Sequence, residues 1–99
     1  MITDYPYCII CNKRVGLEVH HLIEGNAKRQ LSDEDGLTVT LCNECHRSDK
    51  FTSVHLNYAV NRWSKICGQL AYERDRCAEG MTVEEARNAF RERYGKSYL

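Results

Sequence analysis

At 99 residues, 42% of them hydrophobic and 28% charged, the chain has room for one domain with a core of moderate size. Its formal net charge is zero, so bulk attraction to nucleic acid is not expected, and any such contact falls to local groups such as Lys28, Arg29, Arg47 and Lys50. No apolar run approaches the ~20 residues of a membrane span and no signal-peptide pattern opens the sequence, so an intracellular protein without a membrane partner is expected.

Residues 1–7 are a lead-in that contains the only proline, Pro6. Cys8-Ile9-Ile10-Cys11, followed by Asn12-Lys13, has the spacing of a metal-binding knuckle, because thiolates two residues apart can bite one ion from a tight turn. Residues 17–22 alternate around the β-favouring Val19, which predicts a strand ending near His21. Glu24-Gly25-Asn26 breaks it. Residues 26–36 are polar, and Ser32-Asp33-Glu34-Asp35-Gly36 reads as a loop or turn. A second strand is predicted over 37–41, with Leu37, Val39 and Leu41 on one face and Thr38 and Thr40 on the other. Cys42-Asn43-Glu44-Cys45 then repeats the knuckle spacing, and a short helix starting at Asn43 is expected to carry Cys45, His46 and Lys50.

Leu56, Ala59, Val60, Trp63, Ile66, Cys67, Leu70 and Ala71 recur at intervals of 3, 4 and 7, which predicts a helix over 56–74 capped by Thr52 or Ser53. Cys67 falls on its apolar face as a core residue, and Cys77 falls in the loop beyond. A second helix is predicted over 83–94: Thr82 and Glu85 form a capping box, and Gly95 is a natural stop. Its inner face would be Val83, Ala86, Ala89 or Phe90, and Tyr94. The basic residues of both helices read as a solvated face. The pattern leaves the oligomeric state open.

In a reducing compartment, two C-x-x-C pairs read as metal ligands before disulfides. Cys8, Cys11, Cys42 and Cys45 would complete a tetrahedral zinc site. That set needs no histidine, yet three stand at its margins. His20 and His21 are strand neighbours and face opposite sides, so one can hold a metal while the other faces a substrate. His46 directly follows a ligating cysteine. His55, at the entrance to the long helix, is a further candidate ligand.

The pattern Cys8-x-x-Cys11, Leu17-Glu18-Val19-His20-His21, Leu41-Cys42-x-x-Cys45-His46 resembles the HNH endonuclease family, most closely its small bacteriophage members. Gly36-Leu37 and the closing Tyr94-Gly95-Lys96-Ser97-Tyr98-Leu99 are similar to that group as well. The resemblance implies an α+β fold: a zinc-stabilised ββα-metal, treble-clef-like core over 1–55, with two C-terminal helices over 56–99 packed on it in a single domain. By position it makes His21 the general base and gives His20 and His46, with His55 as a possible third, to a catalytic divalent cation. That cation would be Mg²⁺ or Mn²⁺, with Ni²⁺ a further option. The implied activity is metal-dependent hydrolysis or nicking of DNA, expected to be double-stranded, in the cytoplasm of a bacterial or phage-infected cell.

The chemistry is coherent from the residue types, since an imidazole with an ordinary pKa near ~6.5 can take a proton from water at neutral pH. Gly36-Leu37 stands where the family has the Asn that orients the base, leaving that task to a backbone carbonyl, Asn26 or Asn43. The alternative reading is a noncatalytic zinc-binding module of treble-clef type that holds DNA or a protein partner. It accounts for the cysteines and leaves the three histidines unexplained.

Overall fold

The computed structural model of the chain describes residues 6–49, 51 and 53–99, except for the side chain of Asn26. Lys50 and Thr52, singled out above as a phosphate contact and a helix cap, lie outside the described residues. The architecture is α+β, with an antiparallel two-stranded sheet and helices. Strand β1 (Leu17–His21) pairs with β2 (Thr38–Cys42) in a register that sets Leu17 opposite Cys42 and His20 opposite Val39. That pairing carries the second cysteine pair back toward the first. Ile9 N–H donates to the Thr40 carbonyl at 3.1 Å, which seats the first knuckle on the free edge of β2.

The segment between the strands is a helix, α1 (Asn26–Asp35), and not the loop that its polar composition predicts. Among its described side chains only Ser32 is fully buried, with Leu31 half-buried beside it, so the apolar periodicity that marks a helix is almost missing. Its last turn carries Asp33, Glu34 and Asp35, against the helix dipole. Tertiary contacts offset this. Arg93 pairs with both Asp35 and Glu34, the Tyr94 hydroxyl donates to Asp35 at 2.6 Å, and the Ser32 hydroxyl donates to the Ile23 carbonyl at 2.7 Å. Gly36 ends the helix in the left-handed conformation (φ 70°), where a side chain would be strained.

After β2 the chain makes one π-helical turn, Glu44–Ser48, closed by Asp49 N–H on the Glu44 carbonyl at 3.0 Å. The long helix α2 (Tyr58–Ala78) begins later and runs further than its apolar repeat suggests. Its cap is Asn57, whose side chain accepts from Val60 N–H, rather than Thr52 or Ser53. Cys77 therefore lies in its last turns and not in a loop. The face turned inward also differs: Ser64, Gly68, Gln69, Ala71, Tyr72 and Glu73 are buried, while Leu56, Trp63 and Leu70 are exposed. Helix α3 (Val83–Tyr94) has the predicted bounds, the Thr82–Glu85 capping box and the Gly95 stop. Ala86, Phe90 and Tyr94 are its inner face, whereas Val83, in the first turn, is 69% exposed and not part of it.

One core cluster links the parts. Leu22, Ile23, Leu37, Val39, Leu41 and Val54 from the sheet side meet Ala71, Tyr72, Phe90 and Tyr94 from α2 and α3, with Cys8, Cys42 and Cys45 at its edge. The Phe90 and Tyr94 rings stack at 4.6 Å. Among the described residues, no helix is long and apolar enough to cross a membrane.

The approach of α2 to the end of β1 is close enough to be limiting. A Cβ built on Gly68 would lie 2.8 Å from Ile23 and 3.0 Å from Leu22. Gly68→Ala should gain about 1 kcal/mol of helix propensity and lose about 1–3 kcal/mol to overpacking. We expect a lower melting temperature; a rise would show that Leu22 and Ile23 yield without cost.

Candidate functional site

Two clusters of metal-ligating side chains occur among the described residues, and Cys45 and His46, adjacent in sequence, belong one to each. In the first, Cys8, Cys11, Cys42 and Cys45 bring their sulfurs within 4.8 Å of one another, with Cys11 and Cys42 3.5 Å apart. Thiolates on a tetrahedral zinc at ~2.3 Å would stand about 3.8 Å apart, so the set fits such an ion. The local backbone explains the convergence. Asn12 adopts φ 65° and donates its N–H to the Cys8 carbonyl, Cys8 N–H bonds the Lys13 carbonyl, and Lys13 pairs with Glu44 of the π turn.

The thiols are not equivalent. Burial raises the Cys8 pKa, but N–H groups of Cys42, Cys11 and Ile10 outweigh it and bring the group to about 7. Burial and the neighbouring sulfurs push Cys45 up. A cation is what would allow all four to ionise together. These four cysteines could hold a metal ion such as zinc.

The second cluster is His20, His46 and His55, with one nitrogen from each within 4.8 Å of the others. Three different elements supply it. His20 comes from β1, where it is 2% exposed and points inward. His46 comes from the π turn. His55 is hung from that turn: its N–H reaches the His46 carbonyl at 3.3 Å, Val54 N–H bonds the Cys45 carbonyl, and the Ser53 hydroxyl donates to the His46 carbonyl.

Partners outside the cluster decide which nitrogens face inward. The Ser64 hydroxyl donates to the Leu22 carbonyl, so it accepts from His20 Nε2–H at 2.8 Å and leaves Nδ1 with the lone pair. Glu18 can only accept, so His46 Nδ1 donates to it at 2.7 Å and Nε2 is the free atom. His55 Nδ1 lies 3.0 Å from Glu24 Oε2, off the line of a hydrogen bond, and its Nε2 faces His46 Nε2 at 3.0 Å. Burial, with the His46, His55 and His21 imidazoles nearby, pushes His20 down to about 3, so this ring is neutral. With His46 Nε2 and His55 Nε2 that close, a proton on one of the two atoms, or a cation shared with His20, satisfies the pair. Nitrogens on one zinc at ~2.0–2.1 Å would be about 3.4 Å apart, and carboxylate- or hydroxyl-held imidazoles are the usual outer shell of such a centre.

His21 turns away from the cluster and lines the same cavity, about 230 Å³, with Val19, His20, Glu24, Arg29, His46 and His55. Its Nε2 donates to Asp33 of α1 at 2.8 Å, leaving Nδ1 unprotonated in the neutral ring. The group that holds His21 is thus a carboxylate. Asn43 is elsewhere: its side chain packs beside Gly16, and the Asn26 side chain is outside the described atoms.

Sequence reasoning missed Asp33, Glu18, Glu24 and Ser64. Glu18 could have been found, because it lies two residues before His20 and so on the same strand face. Asp33 could not, since nothing marked residues 26–35 as a helix.

If the cysteine cluster binds zinc, stripping the metal with a chelator should abolish the cooperative thermal transition, as should Cys42→Ser. Metal-free protein melting at the same temperature as the zinc-loaded chain would refute a structural role.

No protein-family model, no curated protein and no solved structure matches the chain, so its functional reading rests on this geometry.

Proposed function

We propose that this protein is a metal-dependent nuclease of the HNH type, hydrolysing or nicking phosphodiester bonds in DNA. It would be built as a zinc-stapled ββα-metal unit with Cys8, Cys11, Cys42 and Cys45 on the structural ion. The observation that carries the reading is the shared cavity: three imidazoles that bring one nitrogen each within 4.8 Å of the others, and beside them a fourth, His21, held by a carboxylate through Nε2.

In this reading His21 Nδ1 takes a proton from the water that attacks phosphorus, and the P–O3′ bond breaks on the opposite side. Asp33 keeps the imidazole in the tautomer and orientation that expose Nδ1, and its charge stabilises the imidazolium that forms. Ser64 and Glu18 hold His20 and His46 against rotation. A divalent cation bound by His20, His46 and His55 would supply Lewis-acid neutralisation at the phosphate and the leaving oxygen. Three nitrogen donors suit Zn²⁺ or Ni²⁺ better than Mg²⁺ or Mn²⁺, which favour oxygen ligands. A noncatalytic zinc-binding module would share the cysteine cluster and give the His21–Asp33 pair no role.

Supercoiled plasmid incubated with the protein and Ni²⁺, Zn²⁺, Mn²⁺ or Mg²⁺ in turn should be nicked, fastest with the nitrogen-preferring ions. His21→Ala should slow cleavage about 10²–10⁴-fold without altering metal content. Failure of the wild-type chain to cut with any of the four would sink the enzyme reading. Asp33→Ala should lower the rate in the same direction while leaving the melting temperature near that of wild type, because the Asp33 side chain is 63% exposed. An unchanged rate would mean that Asp33 does not orient the base.

A further inference from the structure

Helix α1 contributes a second side chain to the cavity. Arg29 lines it together with the four histidines and Glu24, and among the described residues it is the only basic side chain other than histidine to do so. It stands four residues before Asp33, so the two share a face of α1 one turn apart. Asp33 reaches His21 Nε2, and Arg29 is carried by the same face to the cavity rim.

Its lack of a partner sets it apart from the other arginines nearby. Arg47 is engaged by Glu18 through both Nε and Nη2, and Arg93 is held by Asp35 and Glu34. Arg29 makes no ion pair or side-chain hydrogen bond with any described residue, although Glu24 lines the same cavity and Asp33 is one turn away. An exposed guanidinium left unpaired at the edge of a cavity lined by four imidazoles is placed to take an anion. The planar fork of an arginine matches two oxygens of a tetrahedral oxyanion, a fit that lysine cannot reproduce.

We propose that Arg29 is the phosphate clamp of this site: its guanidinium holds two non-bridging oxygens of the scissile phosphodiester over the cavity. The clamp rests on the hydrolase reading only for the bond cleavage after binding, and binding by itself is anion recognition. It also explains how a chain of zero net charge could hold a polyanion at one point, since the positive potential needed is local.

The test is titration of the zinc-loaded protein with dimethyl phosphate, a diester anion, followed by calorimetry and by the Nε–Hε resonance of Arg29. Saturable binding that moves this resonance is expected. Arg29→Gln should weaken binding about ten- to a hundredfold, the loss of hydrogen bonds to a charged group, and Arg29→Lys should recover only part of it. Metal content and melting temperature should match wild type in both variants, because Arg29 is exposed. Absence of binding by the wild type, or equal binding by Arg29→Gln, would overturn the clamp. Plasmid cleavage separates the two claims. A wild type that binds the diester through Arg29 and never cuts DNA would remove the hydrolase reading and leave the clamp. A wild type that cuts DNA, with Arg29→Gln equal to it in both kcat and KM, would remove the clamp and leave the hydrolase.

Discussion

The peptide bond between Cys45 and His46 is the constraint on which the rest of the site depends. The side chain before it is buried among three other sulfurs, and the one after it joins two other imidazoles. Both carbonyls of that pair are in use: the one on Cys45 accepts from Val54 N–H, and the one on His46 from His55 N–H and the Ser53 hydroxyl. Four sulfurs that converge on one point therefore fix His46, and His46 in turn fixes His55. A metal ion on those sulfurs would give a small chain with a modest core a rigidity that burial alone would not supply.

The remaining walls come from elements that reach the hairpin from outside. Gly68 lets α2 lie against Leu22 and Ile23, and one turn earlier on the same face Ser64 bridges the Leu22 carbonyl and His20. Helix α1 is tied on its far side to α3 through Asp35, Arg93 and Tyr94, and this leaves Asp33 free to meet His21. Three of the four histidines are thus held by a polar group from a different part of the chain, Ser64 in α2, Asp33 in α1 and Glu18 in β1, while His55 is set by its backbone bond to His46. Hydrogen bonds to Glu18 from His46 and Arg47 hold its carboxyl below the usual range, which keeps the acceptor of His46 ionised.

Much of this was legible in the sequence for identifiable reasons. The cysteine pairs were readable because ligand spacing is local, and α3 because its cap, periodicity and stop agree. Helix α1 was hidden because its stability comes from Arg93 and Tyr94, some 60 residues away, rather than from its own apolar pattern. The inward face of α2 was misjudged for a related reason. The apolar stripe containing Trp63 and Leu70 was the stronger signal, yet the close contact is made by two small residues, Ser64 and Gly68. Close backbone approach favours such residues, and a hydrophobicity pattern cannot register it. The carboxylate that holds His21 was invisible for the first of these reasons, since it sits on the hidden helix.

The central claim is that the imidazoles of His20, His46 and His55 hold a cation distinct from the one on the cysteines. Crystals of the zinc-loaded protein, with diffraction recorded on either side of the zinc absorption edge, would test it most directly. Two anomalous peaks per chain are expected, one among the four sulfurs and one among the imidazole nitrogens of His20, His46 and His55. A peak at the cysteines alone, with the imidazoles turned away from one another, would contradict it.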